Sequence, residues 1–258
     1  SCANPGRVDR SVPILIPQPK CMAKPTFRAK QFTIQQDRCA QKVSTDGILF
    51  GAWLNYCGAE RILDVGAGTG VLSLIAAQRN LTAEITALEI DPAAAEQARE
   101  NAANSRWPAR IKVLCCDARS YQPESLFDLV ICNPPYYANS LTSPDQRTNV
   151  AKHSEDLTFQ DLVCVVGRSL TPDGRFAVII PVERENDLVP IAAKHNLHPA
   201  QRFIVSYSPH KSPKRVLMML KRIKLETVEE SSLIIQNAGP FDYSPEYRAM
   251  ISDLMIGF

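Results

Sequence analysis

The chain has 258 residues, 45% of them hydrophobic and 22% charged, with a formal net charge of +2. That is enough chain for one sizeable core, and no apolar run approaches the ~20 residues of a membrane-spanning helix. The start, SCANPGRVDR, lacks the apolar core of a secretory signal.

Residues 1–30 are expected to form a flexible extension or leader, with Met22 a candidate native start. Residues 31–258 are expected to form one domain, with a core over about 43–222 and a C-terminal extension over 223–258. The charges are segregated. Residues 1–42 carry eight Lys/Arg against two acids, and Val189 to Lys224 carries eight Lys/Arg and no acid. A basic face for a polyanion is compatible with a near-neutral total. The eight cysteines include no CxxC pair. They read as buried thiols of a reducing cytoplasm, not as disulfides or zinc ligands, and no metal is expected.

In chain order, RILDV (61–65) reads as a strand, followed by a glycine-rich turn and a helix in VLSLIAAQR (71–79). EITALE (84–89) is the next strand. Asp91 caps and Pro92 opens the Ala-rich helix after it. RIKVLCC and FDLVIC are two more strands. Thr158 with Asp161 makes a capping box for LVCVVGRSL. GRFAVIIP is a strand, ENDLVPIAAKH a helix, and RFIVSYS and RVLMMLKR are strands with no helix between them. Seven nearly all-apolar strands separated by helices predict an α/β fold. The expected sheet is Rossmann-like and mostly parallel, with helices on both faces and an antiparallel C-terminal hairpin at one edge. In such sheets ligands bind beyond the carboxyl ends of the strands.

LDVGAGTGVL places Gly66, Gly68 and Gly70 after the first of these strands, where they permit a tight turn and close approach to a ligand. The spacing is GxGxG, not the GxGxxG of nicotinamide sites. Glu89 ends the second strand, where a carboxylate can accept both hydroxyls of a ribose. Asp117 follows the third strand, where it can receive an adenine amino group.

DVGAGTG, ALEID, CDA and NPPY together resemble the class I S-adenosyl-L-methionine-dependent methyltransferases, over about 43–222. The resemblance implies that Asp64, Gly66, Ala67, Gly68 and Gly70 lie at the methionine part of the cofactor. It implies Glu89 with Ile90 at the ribose, and Asp117 with Ala118 at the adenine.

The corner CNPPYY then has a use. The Asn133 side-chain carbonyl and the Pro134 main-chain carbonyl are two acceptors on a stiff frame, able to grip both N–H groups of a planar amine. Pro135 continues the frame, and Tyr136 or Tyr137 can stack on a base. Asn133, Pro134 and Tyr136 are the expected catalytic residues. In-line methyl transfer needs positioning, and neither a metal nor a covalent intermediate. NPPY in such enzymes marks transfer to an adenine amino group or to a glutamine amide.

The flanks KVSTDGILFGAW, NVAKHSEDLTFQDLV and SPHKSPKRVLMML further resemble bacterial tRNA adenine-N6 methyltransferases that modify the adenosine 3′ of the anticodon of tRNA(Val). That resemblance implies Thr45, Asp46 and Gly47 near the cofactor. Thr45 or Asp46 would in any case serve as a helix cap. A tRNA anticodon loop suits the charge map, with Lys211, Lys214 and Arg215 in the hairpin loop as expected phosphate contacts and Arg28, Lys30, Arg38 and Lys42 as a second set. A glutamine-amide methyltransferase acting on a release factor is the alternative enzyme, and a non-catalytic cofactor-binding protein the third option. A monomer is favoured. His195 and His198 form HxxH without a third ligand nearby and read as a helix-end pair.

Overall fold

The computed structural model describes residues 26–134 and 157–257. A small antiparallel hairpin, β1 (Thr26–Arg28) and β2 (Thr33–Gln35), comes first, then α1 (Thr45–Trp53). The alternating core follows as β3 (Arg61–Val65), α2 (Val71–Arg79), β4 (Glu84–Glu89), α3 (Pro92–Ala103), β5 (Ile111–Cys115) and β6 (Phe127–Cys132). It continues with α4 (Phe159–Ser169), β7 (Leu170–Pro181), α5 (Glu185–Lys194), β8 (His198–Ser206), β9 (Arg215–Lys221), β10 (Glu229–Ile234) and α6 (Pro245–Ile251).

The main sheet has eight strands in the order β10-β8-β9-β7-β6-β3-β4-β5. Every pairing in it is parallel except the two made by β9. The expected antiparallel hairpin is β8–β9, but it does not end the sheet. An eighth strand, β10, lies outside β8 and runs parallel to it. Its sequence EESSLI lacks the apolar run that marks the inner strands, and it is held partly through charge. Arg202 on β8 faces Glu230 at 3.6 Å, and Gln201 donates to Glu229 at 2.7 Å.

Neighbouring residues on the inner strands feed opposite cores, as alternating side chains must. Ile62, Leu129 and Ile131 pack with α1, α2 and α3, whereas Leu63, Val130 and Cys132 pack with α4 and α5. Burial on both faces is why these strands read as continuous apolar runs. The expected caps at Asp91 and Thr158 are present. Asp91 accepts from Ala93 and Ala94 N, and Thr158 and Asp161 form the reciprocal box. The cap of α1 is Ser44, not Thr45 or Asp46. Its hydroxyl accepts from Gly47 N at 3.2 Å.

Not all the cysteines are buried. Of the six described, all are free; Cys39 and Cys132 are buried, while Cys57 and Cys115 are exposed. Cys115 ends β5, the outermost strand of the sheet among the described residues. No helix among the described residues is long and apolar enough to cross a membrane.

Candidate active site

The chain builds outward from β3 through β4 to β5, then returns to lay β6 on the other side of β3. The order therefore reverses between β3 and β6, and the crevice opens there. The register aligns the strand ends. Val65 lies opposite Cys132 and Leu88, and Glu89 lies opposite Cys115. The next residues along, Gly66 and Asn133, therefore emerge side by side.

The glycine turn is conformationally obligatory. Gly66, Gly68 and Gly70 have φ of 73°, 54° and 80°, values that L side chains rarely adopt. The N–H groups of Gly66 and Ala67 both donate to Leu88 O at 2.9 Å, which ties the turn to the end of β4. A Cβ built at Gly66 would meet no atom within 4 Å, so this backbone faces open space.

Two cavities lie on either side of the turn. The first, of 280 Å³, is bounded by Glu89, Ile90, Asp117, Ala118 and Pro134, with Val65 and Leu88 behind. The second, of 270 Å³, is bounded by Ser44, Asp46, Gly47, Thr69, Asn133 and Arg215. Both share Ala40, Gln41, Gly66 and Gly68 as walls, so they are two halves of one crevice. Pro134 faces the first half and Asn133 the second, which puts the pair at the junction.

The Glu89 carboxylate is fixed by main-chain donors. One oxygen accepts from Gly68 N at 2.7 Å, and the other from Asp91 N at 2.9 Å. A carboxylate offers about four acceptor sites, so capacity remains for two hydroxyls. Asp117 is already engaged. Arg119 donates to it from Nε at 2.8 and 3.0 Å and from its main-chain N at 2.8 Å. The bonds from Arg119 hold its carboxyl below the usual carboxylate range.

Asp64 is fully buried. One oxygen accepts from Ser73 Oγ at 2.7 Å, and the other has no hydrogen-bond partner among the described residues. Burial raises its pKa to about 7, against the lowering effect of the Ser73 bonds and with a further rise from Glu89. An orphaned buried oxygen is a polar group in want of a donor. One acid with room for hydroxyls, an apolar slot beyond it, and a second half-cavity across the glycine turn fit an amino-acid-bearing nucleoside.

Asp46 is buried and is already engaged by two side chains. It accepts from the Tyr207 hydroxyl and from Arg215 Nε at 2.8 Å. Arg215 was expected in the hairpin loop as a phosphate contact. It is instead the first residue of β9, and its guanidinium pairs with Asp46. Lys211 and Lys214 are on the loop and exposed, as is His210. Lys30, Arg38 and Lys42 of the N-terminal arm have partners inside the protein. Lys30 donates to Ser252 O at 2.6 Å, Lys42 to Gln36 O, and Arg38 pairs with Glu100. Thr45 and Gly47 lie in the first turn of α1; Gly47 is beside Asn133, whereas Thr45 is exposed and lines neither half-cavity. Pro135, Tyr136 and Tyr137 lie outside the described residues.

Sequence reasoning missed the outer wall. Residues 39–41 lie over the glycine turn because buried polar groups on α3 hold the preceding segment. Asn101 accepts from Gln35 N at 2.8 Å and donates to Gln35 O at 2.9 Å, while Gln97 accepts from Arg38 N at 3.1 Å. A Gln and an Asn four apart on one face of an Ala-rich helix were the available signal. His195 ends α5, with Nε2 3.0 Å from Gln160 Nε2. Among the described residues, no group of three or more His, Cys, Asp or Glu is placed to hold a metal ion.

Comparison with known proteins follows this geometry. The family model for the methyltransferase small domain matches residues 48–185. The tRNA1(Val) (adenine(37)-N6)-methyltransferase of Bacteroides fragilis is 40% identical over 229 residues, covering 88% of this chain and 95% of that protein. The proteins of that name in Tolumonas auensis and Trichodesmium erythraeum are 40% and 39% identical, over 90% of this chain and 97% and 98% of their own lengths. Among solved structures, a predicted O-methyltransferase from Agrobacterium tumefaciens superposes with a TM-score of 0.62 at 21% identity, over 81% of this chain and 96% of that one. A ribosomal protein L11 methylase from Lactobacillus delbrueckii gives 0.53 at 16% identity, over 74% and 84%. At such identities the structures share the fold alone.

Proposed function

Because the chain belongs to the methyltransferase small domain family and is 40% identical along most of its length to tRNA1(Val) (adenine(37)-N6)-methyltransferases, we propose that it methylates the exocyclic N6 amino group of adenine in tRNA. The target is the adenosine at position 37, 3′ of the anticodon of tRNA(Val), and the methyl donor is S-adenosyl-L-methionine. The observation that carries this is the placement of Asn133 and Pro134 at the junction of the two half-cavities, one step beyond the sheet's reversal point.

The donor, when bound, supplies a methyl group activated on a sulfonium. The chain's part is to hold and align. Glu89 takes the ribose hydroxyls with the capacity left by Gly68 and Asp91 N–H. Val65, Leu88, Ile90 and Ala118 would line the slot for the adenine, with Asp117 at its rim. The methionine end would lie along the glycine turn in the second half-cavity, with Asp64 buried behind that turn. Asn133 Oδ1 and the Pro134 carbonyl accept the two N–H groups of the target amine. That grip draws the nitrogen lone pair out of conjugation with the ring and points it along the transfer line. Stacking on the base falls to Tyr136 or Tyr137.

The target nucleotide lies in a single-stranded loop, so presenting it costs little. His210, Lys211 and Lys214, exposed on the loop between β8 and β9, meet the tRNA backbone. Residues 31–258 act as one methyltransferase domain, a monomer working in the cytoplasm where its substrate is.

The test supplies methyl-labelled S-adenosyl-L-methionine with bulk tRNA, with a release factor, or with neither. Label in tRNA is the expected result. Label in the release factor would overturn the substrate in favour of a glutamine amide, and no label in either would leave a cofactor-binding protein without this activity.

A further inference from the structure

Asp46 spends its charge away from its own helix. Ser44 already caps α1, and the Asp46 carboxylate, 10% exposed, turns instead to the β8–β9 hairpin. Tyr207 directly follows β8, and Arg215 opens β9. These two residues are the feet of the basic loop, which Lys214 N closes by donating to Val205 O at 2.9 Å. One carboxylate, accepting from both feet, therefore ties the loop to the first turn of α1.

The other side of that turn is the transfer end of the crevice. A Cβ on Gly47, the residue after Asp46, would lie 3.7 Å from Asn133 Nδ2. Asp46, Gly47, Asn133 and Arg215 share the walls of the second half-cavity. A mostly buried carboxylate is stabilised by being paired and hydrogen-bonded, so losing a partner here loosens the tie. Burial, with the bond to Asp46, keeps the Tyr207 hydroxyl protonated as a donor.

We propose that Tyr207 and Arg215 are positioning residues, acting through Asp46 to hold Gly47 against Asn133 and to set the basic loop in register with that clamp. The kinetic consequence rests on the methyl-transfer function proposed above; the latch itself does not. Asp46, which the sequence resemblance placed among the cofactor contacts, is assigned to the hairpin instead.

Tyr207→Phe removes one hydroxyl and keeps the ring. It should lower kcat for tRNA methylation about tenfold through misalignment of the clamp, with KM for tRNA and the cofactor Kd unchanged within about twofold and a melting temperature showing a folded protein. Added to Asp46→Asn, it should cost nothing further, because its effect runs through the same carboxylate. Hydrogen exchange at the Gly47 amide, measured without substrate, should be about tenfold faster in Tyr207→Phe.

Wild-type kcat together with wild-type Gly47 exchange in Tyr207→Phe would overturn the proposal. So would a cofactor Kd raised about tenfold by Asp46→Asn and not by Tyr207→Phe, since Asp46 would then bind the cofactor itself. If the wild-type protein places no label in tRNA, the methyl-transfer function fails, and Gly47 exchange still decides the latch.

Discussion

The two halves of the crevice are built differently. In the first half the polar groups sit at the ends of adjacent parallel strands, and their partners are near in sequence: Glu89 with Gly68 and Asp91, Asp117 with Arg119. In the second half one carboxylate gathers groups 161 and 169 residues away. The first draws its polar partners from neighbouring turns and strand ends; the second exists only once β8 and β9 are in place against α1. Cofactor binding and methyl transfer should therefore be separable by mutation.

The largest effect tests that separation directly. Asn133→Ala should lower kcat by about 10²–10³-fold, the usual loss for one preorganised hydrogen-bonding group at the reacting centre, with cofactor affinity held in a calorimetric titration. The converse variant, Glu89→Ala, should weaken cofactor binding by about 10–100-fold, the range for a hydrogen bond to a charged group. At saturating cofactor its kcat should stay near wild type. A Glu89 variant that lost turnover at full occupancy would erase the distinction between the halves.

Asp64 sharpens the comparison through pH. Its carboxyl titrates at about 7 in the folded protein against 3.8 as the ordinary value. Between those values the folded state holds a proton that the unfolded chain has released. Stability contributed by this residue therefore falls as pH rises from about 4 to about 7. Asp64→Asn removes that slope, which urea melts of both proteins across this range would show.

The smallest effect concerns the loop. Lys211→Ala and Lys214→Ala should each reduce the slope of log affinity for tRNA against log salt by about 1, without altering cofactor binding.

Much of the fold was legible because the inner strands are buried on both faces and leave no other reading of their apolar runs. The caps at Asp91 and Thr158 are local chemistry and were equally plain. β10 escaped notice because EESSLI is polar, and its place beside β8 depends on Arg202 and Gln201, side chains of another segment. Ser44 was passed over in favour of its neighbours Thr45 and Asp46, since all three are good caps and only the entry angle of the chain selects one. Glu89 and Asp117 were legible because strand ends in a parallel sheet are where ligands bind. Tyr207, within SYSPHKSP, carried no signal. Its role arises from the pairing of β8 with β9 and of β9 with β7, which no short stretch encodes. Likewise the pairing of Arg215 with a buried acid on α1 joins residues 169 apart, which no short stretch encodes.

The most direct measurement is nucleoside mass spectrometry on tRNA methylated by the wild-type protein and by Asn133→Ala. The account predicts N6-methyladenosine in the digest from the first and a near-absence of it from the second. A methyl group on a ring nitrogen or a ribose oxygen, or equal N6-methyladenosine from both proteins, would contradict it.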